Sequence, residues 1–215
     1  MAVAYVILNG ELRGSPDFYR KRLAETPGDV FCADGGARHA EYLGITPLAL
    51  YGDFDSADPA LLSRYAGQGV EIHRFPVRKD KTDGEILLEA LADRHYEKIF
   101  ILAGTGGRSD HFLMNLQLAF RFEGLVFLAE GEEMFAVESG AVLEDCLGAT
   151  VSFLAVGGPV RGLFLEGFRY PLTDAVLWPG SSLCVSNVAT AEKCFVKFES
   201  GQLFCVVSTK ALDFS

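Results

Sequence analysis

Residues 99–129 read IFILAGTGGRSDHFLMNLQLAFRFEGLVFLA, and this stretch decides the fold class. Ile99–Ala103 is an apolar run of strand type, and Gly104–Ser109 is a glycine-rich turn. Asp110–Arg121 has helical spacing, with Phe112, Leu113, Leu116 and Phe120 expected on the buried face. Leu125–Ala129 is a second apolar strand. Strand, glycine turn, helix and returning strand form the unit from which parallel sheets are built.

The same alternation runs back to the N-terminus. Val3–Leu8 is an apolar run ending at Asn9-Gly10, and Ser15-Pro16 opens a helix to about Glu25 with proline at its first position. Val30–Ala33 ends at Asp34-Gly35-Gly36 and is followed by a helix to Leu43. Pro47–Tyr51 ends at Gly52-Asp53, Pro59–Tyr65 is a helix, and Val70–Phe75 is a strand. Thr82-Asp83-Gly84-Glu85 has the pattern of a capping box, with Ile86, Leu87, Ala90 and Leu91 as the apolar stripe behind it. The pattern predicts an N-terminal three-layer parallel α/β domain over residues 1–135. From roughly Glu133 onward the helical period vanishes. Thr150–Val156, Gly162–Leu165, Leu183–Val185, Lys193–Glu199 and Gln202–Ser208 are short β-rich runs separated by Gly, Pro and Asn. They predict a C-terminal antiparallel β-sandwich over residues 136–215, with Ser200-Gly201 as a hairpin turn into the last strand.

Composition narrows the function classes. The 215 residues are 49% hydrophobic and 22% charged, enough for a sizeable core without staples. A net charge of −10 argues against a general nucleic-acid surface, which needs clustered Lys and Arg. No apolar run reaches the length of a membrane span, and MAVAYVILNG lacks a basic leader region, so a cytoplasmic protein with no membrane partner is expected. Cys32, Cys146, Cys184, Cys194 and Cys205 include no CxxC pair and are expected as reduced core thiols. His39, His73, His95 and His111 show no metal-ligand spacing.

The polar residues collect at strand ends, where ligands bind in a parallel α/β sheet. Asp34, Asp53, Asp55, Asp80, Asp83 and Asp110 all fall there. Carboxylates crowded into one cleft repel unless a hard cation neutralises them, and oxygen-only ligands point to Mg²⁺ bridging carboxylates to substrate phosphates. Gly104–Ser109 adds backbone N–H groups at a positive helix end, and Arg108 adds a two-pronged cation for phosphate oxygens. The loop is neither a Walker A sequence nor GxGxxG. Taken singly, each element has a plainer reading. Asp53-Phe54-Asp55 could be a solvated turn, and Thr82 and Ser109 could be helix caps. Asp83 and Asp110 could be carboxylates favoured in first turns, and His111 a packing residue. Four such clusters at consecutive strand ends are what the plainer readings explain poorly.

Asp34-Gly35-Gly36-Ala37, Gly-Asp-Phe-Asp-Ser at 52–56, Lys-Asp-Lys-Thr-Asp at 79–83, and Gly-Gly-Arg-Ser-Asp-His at 106–111 followed by Asn115 resemble the thiamine pyrophosphokinase family in order and content. Arg169-Tyr170-Pro171-Leu172, Gly180-Ser181-Ser182 and Ser186-Asn187 resemble that family's vitamin-binding segment. Departures are small: Ala103-Gly104-Thr105 stands where the family tends to Gly-Ala-Thr, Val185 where Thr is common, and Tyr170 where some members carry Trp.

The resemblance implies transfer of pyrophosphate from ATP to the hydroxyl of thiamine, giving thiamine diphosphate and AMP. It also implies a homodimer with composite sites. By motif position Asp53, Asp55 and Asp80 would hold Mg²⁺, and Thr82, Gly106, Gly107, Arg108, Ser109 and Asp110 would hold ATP. Asp34, Asp83, Tyr170, Ser186 and Asn187 would line the thiamine site, where a flat cation meets an aromatic face and carboxylates. Arg108 and the metal-binding carboxylates would carry most of the catalysis by positioning and charge neutralisation. The sequence does not single out the group that takes the hydroxyl proton; Asp83 is one candidate. Two other readings are a pyrophosphokinase for another heterocyclic alcohol, such as a pterin, and a thiamine or nucleotide sensor without turnover.

Overall fold

In the computed structural model, which describes residues 2–55, 57–78 and 80–209, the chain divides into two units, Met1–Glu130 and Gly131–Ser215. Ser56 and Lys79, each part of a strand-end motif, lie outside the described residues.

The first unit holds β1 (Val3–Ile7), β2 (Asp29–Ala33), β3 (Ala49–Gly52), β4 (Glu71–Arg74), β5 (Lys98–Leu102) and β6 (Leu125–Ala129), in the order β4-β3-β2-β1-β5-β6. Each neighbouring pair is parallel. Every residue of β1 is buried, whereas β4 at the outer position is only half-buried. The Tyr5 ring on β1 stacks on Phe100 of β5 at 5.3 Å. Helices α1 (Pro16–Glu25), α2 (Gly36–Leu43), α3 (Pro59–Gly67), α4 (Asp83–Ala92) and α5 (Ser109–Leu118) fill the crossovers. The chain steps outward from β1 to β4 and then returns to β5 on the other side of β1. Right-handed crossovers therefore place α1–α3 on one face and α4–α5 on the other, giving three layers. The point where the order reverses, between β1 and β5, is the usual ligand crevice of such sheets.

Helix starts follow local chemistry. Ser15 and Asp58 cap α1 and α3 by accepting N–H bonds from Phe18 and Ala60, each with proline directly after the cap. Thr82 caps α4 by accepting the Glu85 N–H at 3.2 Å. The Glu85 carboxylate ion-pairs with Arg121, which also reaches Glu89, while Lys81 Nζ meets both Glu89 oxygens at 2.8 and 2.7 Å. Gly36 opens α2 because a Cβ there would stand 2.0 Å from the Ile7 carbonyl oxygen.

One expectation for α5 fails. Leu113, predicted to be buried, is 61% exposed, and the helix ends at Leu118. Phe112, Asn115 and Leu116 are half-buried at i, i+3 and i+4, and burial is complete only at Leu118 and at Ala119 just past the helix. Asn115 takes the inward place because its Nδ2 donates to the Gly104 carbonyl at 2.9 Å.

The second unit contains β7 (Glu132–Val137), β8 (Ala141–Glu144), β9 (Thr150–Glu166), β10 (Leu172–Leu177), β11 (Asn187–Val188), β12 (Lys193–Lys197) and β13 (Ser200–Ser208). β9 belongs to two sheets. Its first half pairs with β13 and β11, and its second half with β10 and β12, all antiparallel. Gly157-Gly158-Pro159 falls between the halves, where small residues let a strand bend. Thr150–Val156 and Gly162–Leu165 are thus one strand rather than two. The core between the layers contains Val151, Phe153, Leu163, Val196 and Leu203, each 0% exposed, and Phe153 meets Phe168 edge to face at 5.5 Å. Replacing a ring buried this way by alanine costs ~3–5 kcal/mol.

Two further expectations are corrected here. Ser200-Gly201 is not a hairpin turn: β12 pairs with β8 and β9, while β13 pairs with β7 and β9. Between β12 and β13 the chain changes sheet, so Ser200 already pairs with Arg161 inside β13. Leu183–Val185 is a turn, closed by the Val185 N–H on the Ser182 carbonyl at 3.0 Å. The α/β plus antiparallel β fold class is the one expected. All five cysteines are free and buried, and burial pushes the Cys146 and Cys184 thiols up to about 11. Among the described residues no helix is long and apolar enough to cross a membrane.

Candidate active site

The carboxyl ends of β2 and β3 are strained where the acids sit. Asp34 and Phe54 adopt left-handed φ angles of 44° and 56°, and Ala103, just beyond β5, adopts 52°. Non-glycine residues there cost ~1–3 kcal/mol each, a cost that clusters at functional sites. Asp34 is tied down by its N–H on the Tyr51 carbonyl at 2.8 Å, and the Asp53 Oδ1 accepts the Asp55 N–H at 3.1 Å.

Asp34 gives the electrostatic signature. Its side chain is half-buried, and Oδ1 has no hydrogen-bond partner among the described residues. Burial first, then the charges of Asp83, Asp53 and Asp55, hold its carboxyl above the usual range, while a Gly35 N–H acts the other way. Asp34, Asp53, Asp55 and Asp83 therefore share one field. Asp80 is exposed, in the segment that precedes α4, and is not in that group. Among the described residues no three His, Cys, Asp or Glu side chains are grouped closely enough to hold an ion by themselves. An all-oxygen donor set with an orphaned carboxylate oxygen still fits Mg²⁺, which keeps several waters and shares its remaining positions with phosphates.

The glycine-rich loop is built from both sides of the switch point. Gly10 N–H donates to the Ala103 carbonyl and Glu11 N–H to the Thr105 carbonyl, each at 2.8 Å. His39 Nε2 on α2 lies 3.0 Å from the Gly10 carbonyl oxygen, and Asn115 holds Gly104 from α5. Gly106 has a φ of 72°, and a Cβ there would stand 2.6 Å from the Glu11 Cβ. Gly107, Arg108, Ser109 and Asp110 are exposed at the start of α5, and Gly106 is half-buried beside them. N–H groups at a helix start suit an anion. Arg108 donates through Nε and Nη2 to the two Asp110 oxygens at 3.1 and 2.6 Å. The bond from Arg108 is the main reason that the Asp110 carboxyl falls to about 2. Both side chains are largely exposed, so the pair holds the guanidinium in place weakly.

Sequence reasoning missed Asn9, Glu11, His39 and Arg74. Asn9-Gly10 ends β1 as the other clusters end their strands, and that position was the available signal. Arg74 lies opposite Gly52 in register, with its guanidinium 5.4 Å from the centre of the Phe54 ring. Nothing in local sequence joins those two residues.

In the second unit Tyr170 is 62% exposed. Asn187 is 3% exposed, and its amide is spent on backbone. Oδ1 accepts the N–H groups of Tyr170 at 3.0 Å and Val188 at 2.9 Å, and Nδ2 donates to the Tyr170 carbonyl at 2.8 Å. Ser186 is exposed with a left-handed φ of 59°, and its N–H donates to Ser152 Oγ at 2.9 Å.

Comparison with known proteins agrees across both units. Residues 21–127 match the thiamin pyrophosphokinase catalytic domain, and residues 141–203 match the thiamin pyrophosphokinase vitamin B1 binding domain. The chain is 30% identical over 172 residues to a thiamine pyrophosphokinase of Bacillus subtilis, covering 77% of this chain and 80% of that protein. It is similar to the crystal structure of thiamin pyrophosphokinase from Geobacillus thermodenitrificans, with TM-score 0.83, 25% identity and coverage of 98% and 99% of the two chains. Thiamin pyrophosphokinase from Candida albicans shares the fold at TM-score 0.81 and 16% identity, with coverage of 96% and 89%. With strand-end motifs, fold and relatives in agreement, the chain belongs to the thiamine pyrophosphokinase family.

Proposed function

We propose that this enzyme moves the pyrophosphoryl group of ATP onto thiamine with Mg²⁺ held by Asp53, Asp55 and Asp80, in a homodimer whose sites draw on both subunits. ATP and thiamine are the family's substrates; the metal, the residue roles and the assembly are our reading. The observation that carries it is the Oδ1 of Asp34, which has no hydrogen-bond partner among the described residues, on a half-buried side chain in the field of Asp53, Asp55 and Asp83. Four carboxylates in one field ask for a cation, and a triphosphate adds more negative charge to the same place.

When bound, Mg²⁺ would neutralise these carboxylates and the nucleotide phosphates and hold them in one orientation. Thr82, Gly106, Gly107, Ser109 and Asp110 line the ATP position, and the Arg108 fork exchanges its exposed Asp110 partner for phosphate oxygens. Asp34, Asp83, Tyr170 and Ser186 line the thiamine position, with the Tyr170 ring against the cationic vitamin and Asn187 behind Tyr170 as its support. The thiamine hydroxyl oxygen bonds to the β-phosphorus, and the bond from that phosphorus to the α–β bridging oxygen breaks. AMP leaves, and the hydroxyl proton passes to a carboxylate, which we assign to Asp83. The five buried, free cysteines suit a reducing compartment and support a cytoplasmic location.

Asp53→Asn and Asp55→Asn test the metal assignment. Each is expected to lower turnover by ~100-fold or more while the protein stays folded. AMP release measured across a Mg²⁺ titration checks this. Near-normal activity at limiting Mg²⁺ in either variant removes the assignment.

A further inference from the structure

We infer that Asn187 is a positioning residue that presents Tyr170 to thiamine and does not itself touch the vitamin; this rests on the reading of Tyr170 as the residue that stacks on thiamine. Asn187 carries two sets of bonds. Its backbone lies in β11 and pairs with Val151 of β9. Its side chain reaches the other way and captures both the N–H and the C=O of Tyr170, at 3.0 and 2.8 Å. A side-chain amide has the donor and acceptor of a peptide group in one plane. It therefore stands in for a strand neighbour at the residue where the ladder stops. The neighbouring bonds show the ladder it extends: Arg169 N–H donates to the Val188 carbonyl at 2.8 Å, and Phe168 bridges Ala189 antiparallel.

The consequence lies at the Tyr170 side chain. With its N–H and its C=O both held, the bend at Arg169-Tyr170 is fixed while Tyr170 stays 62% exposed. An exposed ring on a free loop would lose rotational and backbone freedom on binding, and a clamped backbone removes much of that loss beforehand. Asn187 has little left to offer a ligand. Both Oδ1 lone pairs are taken, by Tyr170 and Val188, and the residue is 3% exposed.

The test is a double-mutant cycle on the full chain, with KM for thiamine and for ATP read separately. Asn187→Asp keeps the acceptor but sets a carboxylate oxygen against the Tyr170 carbonyl, and Asn187→Leu keeps the volume and removes both bonds. Each is expected to raise the thiamine KM about tenfold, leave the ATP KM within about twofold, and add nothing in a Tyr170→Ala background. Additive effects would mean that Asn187 contacts thiamine directly, and an unchanged thiamine KM would make the clamp purely structural; either overturns the inference. A Tyr170→Ala variant with normal thiamine KM would instead remove the Tyr170 reading itself and the inference with it. Should both Asn187 variants fail to fold, amide exchange of Tyr170 in the unchanged protein decides. Protection of about 100-fold or more, increasing when thiamine is added, supports the clamp. Exchange at the unprotected rate, or protection that thiamine leaves unaltered, contradicts it.

Discussion

Replacing Asp34 with asparagine should make the protein more stable and less active. Asparagine tolerates the left-handed φ of 44° at this position at least as well as aspartate, so the change isolates the charge. What is removed is one carboxylate from a field shared with Asp83, Asp53 and Asp55, on a side chain whose Oδ1 lacks a partner among the described residues. Water still reaches the half-buried group, so the gain is discounted to about 1 kcal/mol. For a chain of this size that corresponds to a rise of about 2–4 °C in the melting midpoint. The pH dependence follows from the raised folded-state value. The folded protein holds the Asp34 proton more tightly than the unfolded chain, so the penalty is full at neutral pH. It fades as pH falls through the raised value towards the ordinary carboxylate range, and the two proteins should melt alike below about pH 4. Differential scanning calorimetry without metal, at neutral and acid pH, reads this directly and separates the transitions of the two units. Adding Mg²⁺ and ATP should stabilise the parent more than the variant and close the gap. A midpoint lowered at neutral pH, or a shift independent of pH, refutes the reasoning.

Arg108→Lys keeps the charge and loses the two-pronged geometry now seen on Asp110, so the ATP KM should rise about tenfold with the thiamine KM little changed. An unchanged ATP KM would return Arg108 to the solvated surface. Mixed dimers of Tyr170→Ala chains, impaired at low thiamine, and Asp53→Asn chains, impaired in turnover, should regain activity at low thiamine at one composite site per dimer. Failure of purified mixed dimers to recover activity would mean that each subunit builds its own complete site.

The fold was legible where apolar runs and strand-end punctuation agree. Val3–Leu8, Ile99–Ala103 and Leu125–Ala129 announce a parallel sheet because their side chains are apolar without interruption. The acids of the candidate site were legible for a related reason: they cluster where each strand stops. Three features were not. Leu113 follows helical spacing but faces outward, because Asn115 is recruited inward by the Gly104 carbonyl, a long-range bond that periodicity does not carry. Ser200-Gly201 has hairpin composition, yet the partner of each flanking strand is β9, which bends between two sheets. The amide of Asn187 closes on Tyr170, seventeen residues away, and only the fold shows that its bonds go to backbone.

Product analysis tests the central claim most directly. Incubating the protein with ATP, Mg²⁺ and thiamine and following the phosphorus signals by NMR should show AMP and thiamine diphosphate appearing in equal amounts, with neither forming when thiamine is left out. ADP with thiamine monophosphate as the products, or AMP released without thiamine, would contradict transfer of an intact pyrophosphoryl group to the vitamin.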